Sequence, residues 1–424
     1  QIIITCTAMK LLVKNIGGLV GIYETAPLIL KGKDLGSLPI IHNAWMAVED
    51  GLVVEYGKME DWPGISDWRD LEVLDAESGW IAPAYVDSHT HIVYPAARAG
   101  EFSDRIKGLT YEEIAARGGG ILNSANKLME LSEEQLFEDA WSRLNEIAAT
   151  GTGAVEIKSG YGLTLEGELR MLRVIAELKK KHPLTIKSTF LGAHAYPSNY
   201  KERKSDYVDL IINEMLPIVA KEGLADYIDV FCEANYFSVD DTIRIVRAGK
   251  EYGLKAKIHV NQFTSIGGVQ ASVHEGALSV DHLEVLTEQD IQALQGSDTM
   301  PVALPGCSLF IKIPYTPARQ IIDAGLPLAL ATDFNPGSCP SGNMNLVMSL
   351  ACIHMGMTPE EALNASTVNA AYAMGLSETH GSLSLGRPAH FILTQPINEW
   401  AEIPYYFGSN KIKQLYISGK AVKA

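Results

Sequence analysis

Between Ile81 and Asp333, eight short apolar runs alternate with amphipathic stretches. The runs are Ile81–His91, Gly153–Lys158, Ile186–His194, Tyr227–Cys232, Ala256–His259, Leu278–His282, Met300–Pro305 and Pro327–Asp333. Stretches between them, such as Glu166–Lys181 and Asp240–Tyr252, repeat apolar residues at helical three- and four-residue spacing. Eight strand–helix units in order predict an α/β chain folded as a (β/α)8 TIM-like barrel rather than an open sheet. The polar residues cluster at the C-terminal ends of the runs, the face on which such barrels carry their sites.

The flanks differ. Residues 1–80 hold short strand-like runs, with Glu49-Asp50-Gly51 as a hairpin turn between two of them. After a helix expected over Glu360–Met374, strand patterns return at Gly381–Gly386, Phe391–Thr394 and Leu415–Val422. The simplest arrangement is a small composite β-sandwich domain from 1–80 and 381–424, with the barrel spanning 81–380.

Charge and length narrow the function. A formal net charge of -16 argues against nucleic acid and anionic membranes as partners. It also means that an anionic substrate needs a local cation to hold it. No apolar run approaches the roughly 20 residues of a membrane helix. Gln1-Ile-Ile-Ile-Thr-Cys6 is apolar but has no basic start, so it reads as a strand rather than a secretory signal. The absence of Met at position 1 points to an omitted initiator. Five scattered cysteines (6, 232, 307, 339, 352) without a Cys-x-x-Cys fit free thiols in a cytoplasmic protein.

Several strand ends carry metal-ligand chemistry. His89 and His91 are two apart, so on a strand they share a side. His259 ends the fifth run and Asp333 the eighth. Three neutral imidazoles and a carboxylate suit Zn2+ or Fe2+, with a position left for water. Three core histidines and a helix-capping Asp are the plain alternative.

This order of residues resembles the amidohydrolase superfamily, at His89, His91, His259, His282 and Asp333. Across essentially the whole chain, the motifs are similar to its imidazolonepropionase branch. They are Ser88–His91 with Arg98–Phe102, Tyr111–Ile121, Glu156–Leu163, Thr189–His194, Val280–Glu284 and Thr332–Gly337. The resemblance implies metal-dependent hydrolysis of the ring amide of 4-imidazolone-5-propanoate to N-formimino-L-glutamate, a step of histidine degradation. The implied partner is therefore a small anionic cyclic amide. A homodimer is compatible with this reading, which does not fix the oligomeric state.

Roles follow, each beside a plainer one. Asp333 is the proton carrier, and His282 the group facing the developing oxyanion; His282 could instead be a structural histidine paired with Asp281. Arg98 is the expected carboxylate clamp, or else a solvated arginine. Tyr161 and His194 resemble substrate contacts, or pack a loop and the core. Asn335, Gly337 and Ser338 resemble a substrate-touching loop, and also read as an Asn-capped Pro-Gly turn. Gly118-Gly-Gly120 lacks a phosphate-loop pattern and reads as a flexible or close-packed segment.

The chain departs from its relatives twice. Gln262 stands where many carry Glu, and an amide cannot act as a base. Gly386-Arg-Pro-Ala-His390 replaces a turn that commonly ends in Asp, with little catalytic effect expected. Two other readings remain: a guanine- or cytosine-type deaminase, and a barrel retained as a small-molecule binder. Enzymes with a bridging carboxylated lysine are disfavoured, because Tyr227–Glu233 contains no Lys and Lys158 lies on the second run.

Overall fold

The computed structural model describes residues 9–110, 113–114, 117 and 119–423. The expected strand at Gln1–Cys6, parts of the Tyr111–Ile121 motif and Gly118 lie outside the described residues.

Five strands precede the barrel: β1 (Lys10–Val20), β2 (Ile40–Glu49), β3 (Leu52–Lys58), β4 (Leu71–Asp75) and β5 (Gly79–Pro83). The barrel strands are β6 (Tyr85–Thr90), β7 (Thr152–Lys158), β8 (Thr185–Ala193), β9 (Tyr227–Cys232), β10 (Lys255–Val260), β11 (Ser279–His282), β12 (Met300–Ala303) and β13 (Ala329–Leu330). They pair in sequence order, each parallel to the next. A parallel bridge between Thr90 and Phe334 joins the last unit to the first. Asp333 N–H donates to His89 O at 3.0 Å, and His91 N–H to Phe334 O at 2.9 Å. The bonds that close the barrel thus also fix three of the expected ligands side by side.

The apolar run that reads as one strand from Ile81 to His91 is two. β5 belongs to the small sheet and β6 to the barrel, with Ala84 between them. Hydropathy cannot mark that break, because both strands are buried on both faces.

The small sheet takes β14 (Phe391–Pro396), β15 (Ile412–Ile417) and β16 (Lys420–Ala421) from the other chain end. Its order is β16-β15-β14-β5-β1-β2-β3, with β4 also on β1. Strand alternation lets this sheet serve two cores. Ile81, Phe391, Leu393 and Tyr416 pack with Val13 and Met46 inside the small domain. Trp80, Ala82, Ile392 and Leu415 pack into the main core with the barrel. The β2–β3 hairpin turns at Asp50 (φ 50°) and Gly51 (φ 80°), a pair of positive φ angles that an Asp-Gly turn tolerates.

Helices cover the outside of the barrel. Leu165–Lys181 buries Leu169, Leu172, Ile175 and Leu178 on one face. Its N-terminus is capped by Thr164, which accepts from Gly167 N–H. Ser238–Asp241 and Thr287–Asp290 form capping boxes on two later helices. The single helix expected over Glu360–Met374 is divided into Pro359–Ser366 and Val368–Ala373. Asn364 Nδ2 donates to Leu35 O and Ser37 O, and Asn369 Nδ2 to Leu30 O and Leu328 O. These two docking points lie on opposite sides of Thr367, whose φ/ψ of -127°/-81° breaks the helix.

Candidate active site

The C-terminal ends of the barrel strands open into a cavity of about 400 Å3. His91, His259, His282 and Asp333 line its floor. Arg98, Arg105, Phe102 and Phe310 line the wall formed by the loops after β6 and β12. Every site residue expected from the sequence lines this cavity except His89, which lies buried beneath it.

Two overlapping groups of donors, His89–His91–Asp333 and His89–His259–His282, place their ligand atoms within 4.8 Å of one another. His89 Nε2 and His91 Nε2 are each 3.5 Å from Asp333 Oδ1. His89 Nδ1 pairs with Asp281 Oδ2 at 2.6 Å, and His259 Nδ1 with Asp229 Oδ2 at 2.7 Å. Carboxylates on the Nδ1 side fix the tautomer and leave Nε2 as the free donor atom. Among the described residues, His89 Nε2 is buried and has no hydrogen-bond partner. An orphaned, fully buried imidazole nitrogen beside a carboxylate is what a metal ligand looks like before its metal. The residues present fit one divalent metal.

Electrostatics agree. Burial pushes the His89 and His194 imidazoles well below their ordinary pKa, and neutral imidazole is the form that binds metal or accepts a hydrogen bond. Burial also lowers His259, to about 4, against the opposing pull of Asp229. Burial would raise the Asp333 carboxyl; the bond from His91 and the nearby charge of His282 hold it down. His282 goes the other way. Burial disfavours its charge, but Glu284, 3.1 Å from Nδ1, outweighs this and lifts it to about 9. The sequence-based alternative for His282, a pairing with Asp281, is corrected here: Asp281 serves His89 and Glu284 serves His282.

The backbone is strained at these positions. His282 has φ 94° and Asp333 φ 57°, both unusual for residues with a Cβ. Thr316 Oγ1 holds His282 O at 2.7 Å, and the closing bond to His89 O holds Asp333. Such over-determined strain concentrates at functional sites.

The expected substrate residues differ in how they are used. His194 stacks on His91 and gives its Nδ1 to Gly160 O at 2.9 Å. Tyr161 lies with its ring centre 5.4 Å from that of His194. Gln262 Nε2 reaches Cys307 Sγ at 3.4 Å. The Asn335 side chain is occupied inside its own loop: Oδ1 accepts from Gly337 and Ser338 N–H, and Nδ2 donates to Asp333 O and Ser338 Oγ. The loop is thus the capped turn expected as the plainer reading, and it lines the cavity. Ser338 Oγ is also 3.3 Å from Asp333 Oδ2. Gly337 packs so closely on Arg98 that a Cβ there would collide with Nη1.

Arg98 itself is not a solvated arginine. Its Nε and Nη2 donate to Glu101 Oε2 at 2.8 and 2.6 Å. Arg105, which the sequence does not single out, donates to Gly337 O at 2.9 Å and lies over the Phe310 ring. Its place one turn beyond Glu101, on a helix that starts at Ala99, is the signal that could have found it.

With this geometry in hand, the family is decided by comparison. The amidohydrolase family model matches residues 80–422. The imidazolonepropionases of Flavobacterium johnsoniae and Christiangramia forsetii are each 58% identical over 414 residues, 98% of this chain and 100% of theirs. That of Shewanella sp. (strain ANA-3) is 44% identical over 383 residues, 90% of this chain and 93% of its own. The chain belongs to the amidohydrolase family, in its imidazolonepropionase branch. More distant amidohydrolase-like folds superpose as well. E. coli guanine deaminase has a TM-score of 0.74 at 13% identity, covering 98% of this chain and 99% of its own. A zinc-bound adenosine deaminase from Xanthomonas campestris has a TM-score of 0.71 at 16% identity, covering 97% and 92%. At such identities they speak for the fold alone.

This amidohydrolase carries no lysine on β9; Asp229 stands there and turns to His259. Lys158, on β7, is engaged instead with Glu156 and Asp229. Burial disfavours its ammonium, but those carboxylates keep it charged. β9 thus offers no amine for a bridging carbamate, which argues against a two-metal site.

Proposed function

We propose that this chain hydrolyses the ring amide of 4-imidazolone-5-propanoate to N-formimino-L-glutamate. The observation that carries the reading is the polarity of the cavity: convergent imidazoles and Asp333 at the floor, and Arg98 and Arg105 on the wall. An anionic side chain on a small ring matches that division. His89, His91, His259 and Asp333 would hold one Zn2+ or Fe2+. Bound there, the metal makes water acidic enough to attack at neutral pH.

The chain's own residues do the rest. Asp333 takes the proton lost by the attacking water and returns it to the departing ring nitrogen. His282, kept charged by Glu284, donates to the carbonyl oxygen as negative charge grows on it. His194, with Nδ1 committed to Gly160 O, offers Nε2 as an acceptor for a ring N–H. Gln262 can donate and accept at once, matching a cyclic amide edge. Arg98 pairs the propionate carboxylate and fixes the ring over the floor. The buried thiols Cys232, Cys307 and Cys339 suit a reducing cytoplasm.

The test is incubation of metal-loaded protein with freshly generated imidazolone propionate, following loss of its ultraviolet absorbance and formation of N-formiminoglutamate. Product formation is the expected result. No turnover by fully metallated protein would reopen the deaminase reading.

A further inference from the structure

Beneath the floor, a buried chain of alternating charge runs from one candidate metal ligand to another. His259 Nδ1 meets Asp229 Oδ2 at 2.7 Å, and the same oxygen takes Lys158 Nζ at 2.9 Å. Lys158 Nζ also donates to Glu156 Oε1 at 2.8 Å. Glu156 Oε2 lies 3.6 Å from Lys257 Nζ. Lys257 Nζ donates to Ser279 Oγ at 3.0 Å, and Ser279 Oγ to Asp281 Oδ1 at 2.6 Å. Asp281 Oδ2 closes the path on His89 Nδ1 at 2.6 Å. The side chains of Asp229, Lys158, Glu156, Lys257 and Asp281 are wholly buried.

The two ends of this path need the middle. Asp229 and Asp281 orient the imidazoles by accepting from their Nδ1–H groups. Fully buried carboxylates a short distance apart, with Glu156 between them, repel one another and are costly to desolvate. Each lysine sits between two acids, so the order is acid, base, acid, base, acid. Removing Lys158 leaves Asp229 and Glu156 buried without their shared counter-charge, held by His259 and Thr189. They relieve that by rotating toward another donor or by admitting water. Either of these releases the imidazole N–H that sets the tautomer.

We propose that Lys158, with Lys257, is a positioning residue of the metal centre: it touches no ligand, and tunes metal affinity through Asp229 and Asp281. The inference rests on the metal site assigned above.

The experiment measures metal affinity rather than turnover, by chelator competition with Zn2+ on purified, folded protein. Lys158→Met is expected to bind Zn2+ on the order of tenfold more weakly, within the range that outer partners of ligands contribute. The Nδ1 proton signal of His259 in imidazole 15N–1H spectra is expected to weaken with it. In the double variant with Asp229→Asn the two losses should be far from additive, because one acts through the other. Glu156→Gln, which keeps the shape and removes the charge, is the second variant and should show a smaller loss. Wild-type affinity in folded Lys158→Met would overturn the proposal, as would additive losses in the double variant. Failure of both Lys158→Met and Glu156→Gln to fold would also overturn it, making the chain a structural ion cluster. Failure of the wild-type protein to bind Zn2+ or Fe2+ would instead strike at the metal site itself.

Discussion

The imidazole of His194 lies parallel to that of His91, ring centres 5.2 Å apart and planes 14° apart. The stack sets one cavity-lining ring directly against another, while Gly160 O holds His194 from behind. His194 is therefore expected to bind substrate without binding metal. His194→Phe should keep full metal content and raise KM by about three- to tenfold, the worth of one hydrogen bond of about 0.5–1.5 kcal/mol. Elemental analysis with steady-state kinetics checks this; loss of metal would put His194 among the ligands.

His259, a proposed ligand, has its orientation fixed twice, since Asp229 takes both its Nδ1 and its backbone N–H, at 2.7 and 3.1 Å. His259→Ala should strip the metal and abolish turnover while the barrel still folds. Asp229→Asn keeps the shape but weakens the grip on Nδ1. It should reduce metal affinity by about ten- to a hundredfold. Folded His259→Ala with full occupancy and an unchanged rate would remove His259 from the site.

This convergence of donors is legible in the sequence because a barrel converts order into geometry: successive strand ends become neighbours in space. His89, His91, His259 and Asp333 each close an apolar run, and that position alone marks them. The residues that orient them carry no such mark. Asp229 lies 30 residues from His259, and Asp281 lies 192 from His89. A carboxylate inside an apolar run gives no sign of which strand it faces. Lys158 looks like a strand-end cation until its pairing with Glu156 and Asp229 is seen. The break at Ala84 is hidden because two strands from different sheets are equally buried. Arg105 is hidden because a helical arginine is ordinarily solvated, and only folding lays it over Phe310.

Arg98 is the expected clamp, and its pairing with Glu101 changes how its loss is read. Arg98→Met removes a charge-assisted contact of roughly 1.5–3 kcal/mol, on the order of ten- to a hundredfold in affinity. The clamp acts alike on ground and transition states, so KM should rise far more than kcat falls. Glu101 would remain as a nearby negative charge and add to the loss. Glu101→Gln in the same background should therefore recover part of the affinity. An unchanged KM in Arg98→Met would make the arginine structural.

A pH effect is expected far from the cavity. His380 and His390 stack with ring centres 4.4 Å apart, and burial lowers them to about 3 and about 4. His390 Nδ1 accepts from Ser418 N–H at 3.1 Å, so the folded ring is neutral. In the unfolded chain both titrate near their ordinary value of about 6.5. As pH falls below that, the unfolded state takes up protons that the folded state refuses. Their contribution is complete above about pH 6.5 and is lost as pH falls toward 4, at about 1.4 kcal/mol per unit and group. His390→Gln should thus be more stable relative to the parent at pH 4.5 than at pH 7.5. Denaturant unfolding at the two pH values decides it, and an equal difference at both would show that His390 takes up its proton as readily folded as unfolded.

Gln262 tests the division of labour at the floor. It lines the cavity with Nε2 toward Cys307 Sγ. As an amide it can position a ring edge but cannot take a proton. The acid–base work then falls to Asp333, held ionised by His91 and His282, with His282 as the donor opposite. Gln262→Ala should mainly raise KM, by about three- to tenfold for one hydrogen bond. Gln262→Glu should keep measurable activity, since its carboxylate still accepts from a ring N–H. Asp333→Asn should nearly abolish kcat. The deciding measurement is kcat for the three variants at saturating metal and substrate. Equal inactivity of Gln262→Ala and Asp333→Asn under those conditions would place Gln262 in the chemical step and overturn the roles assigned here.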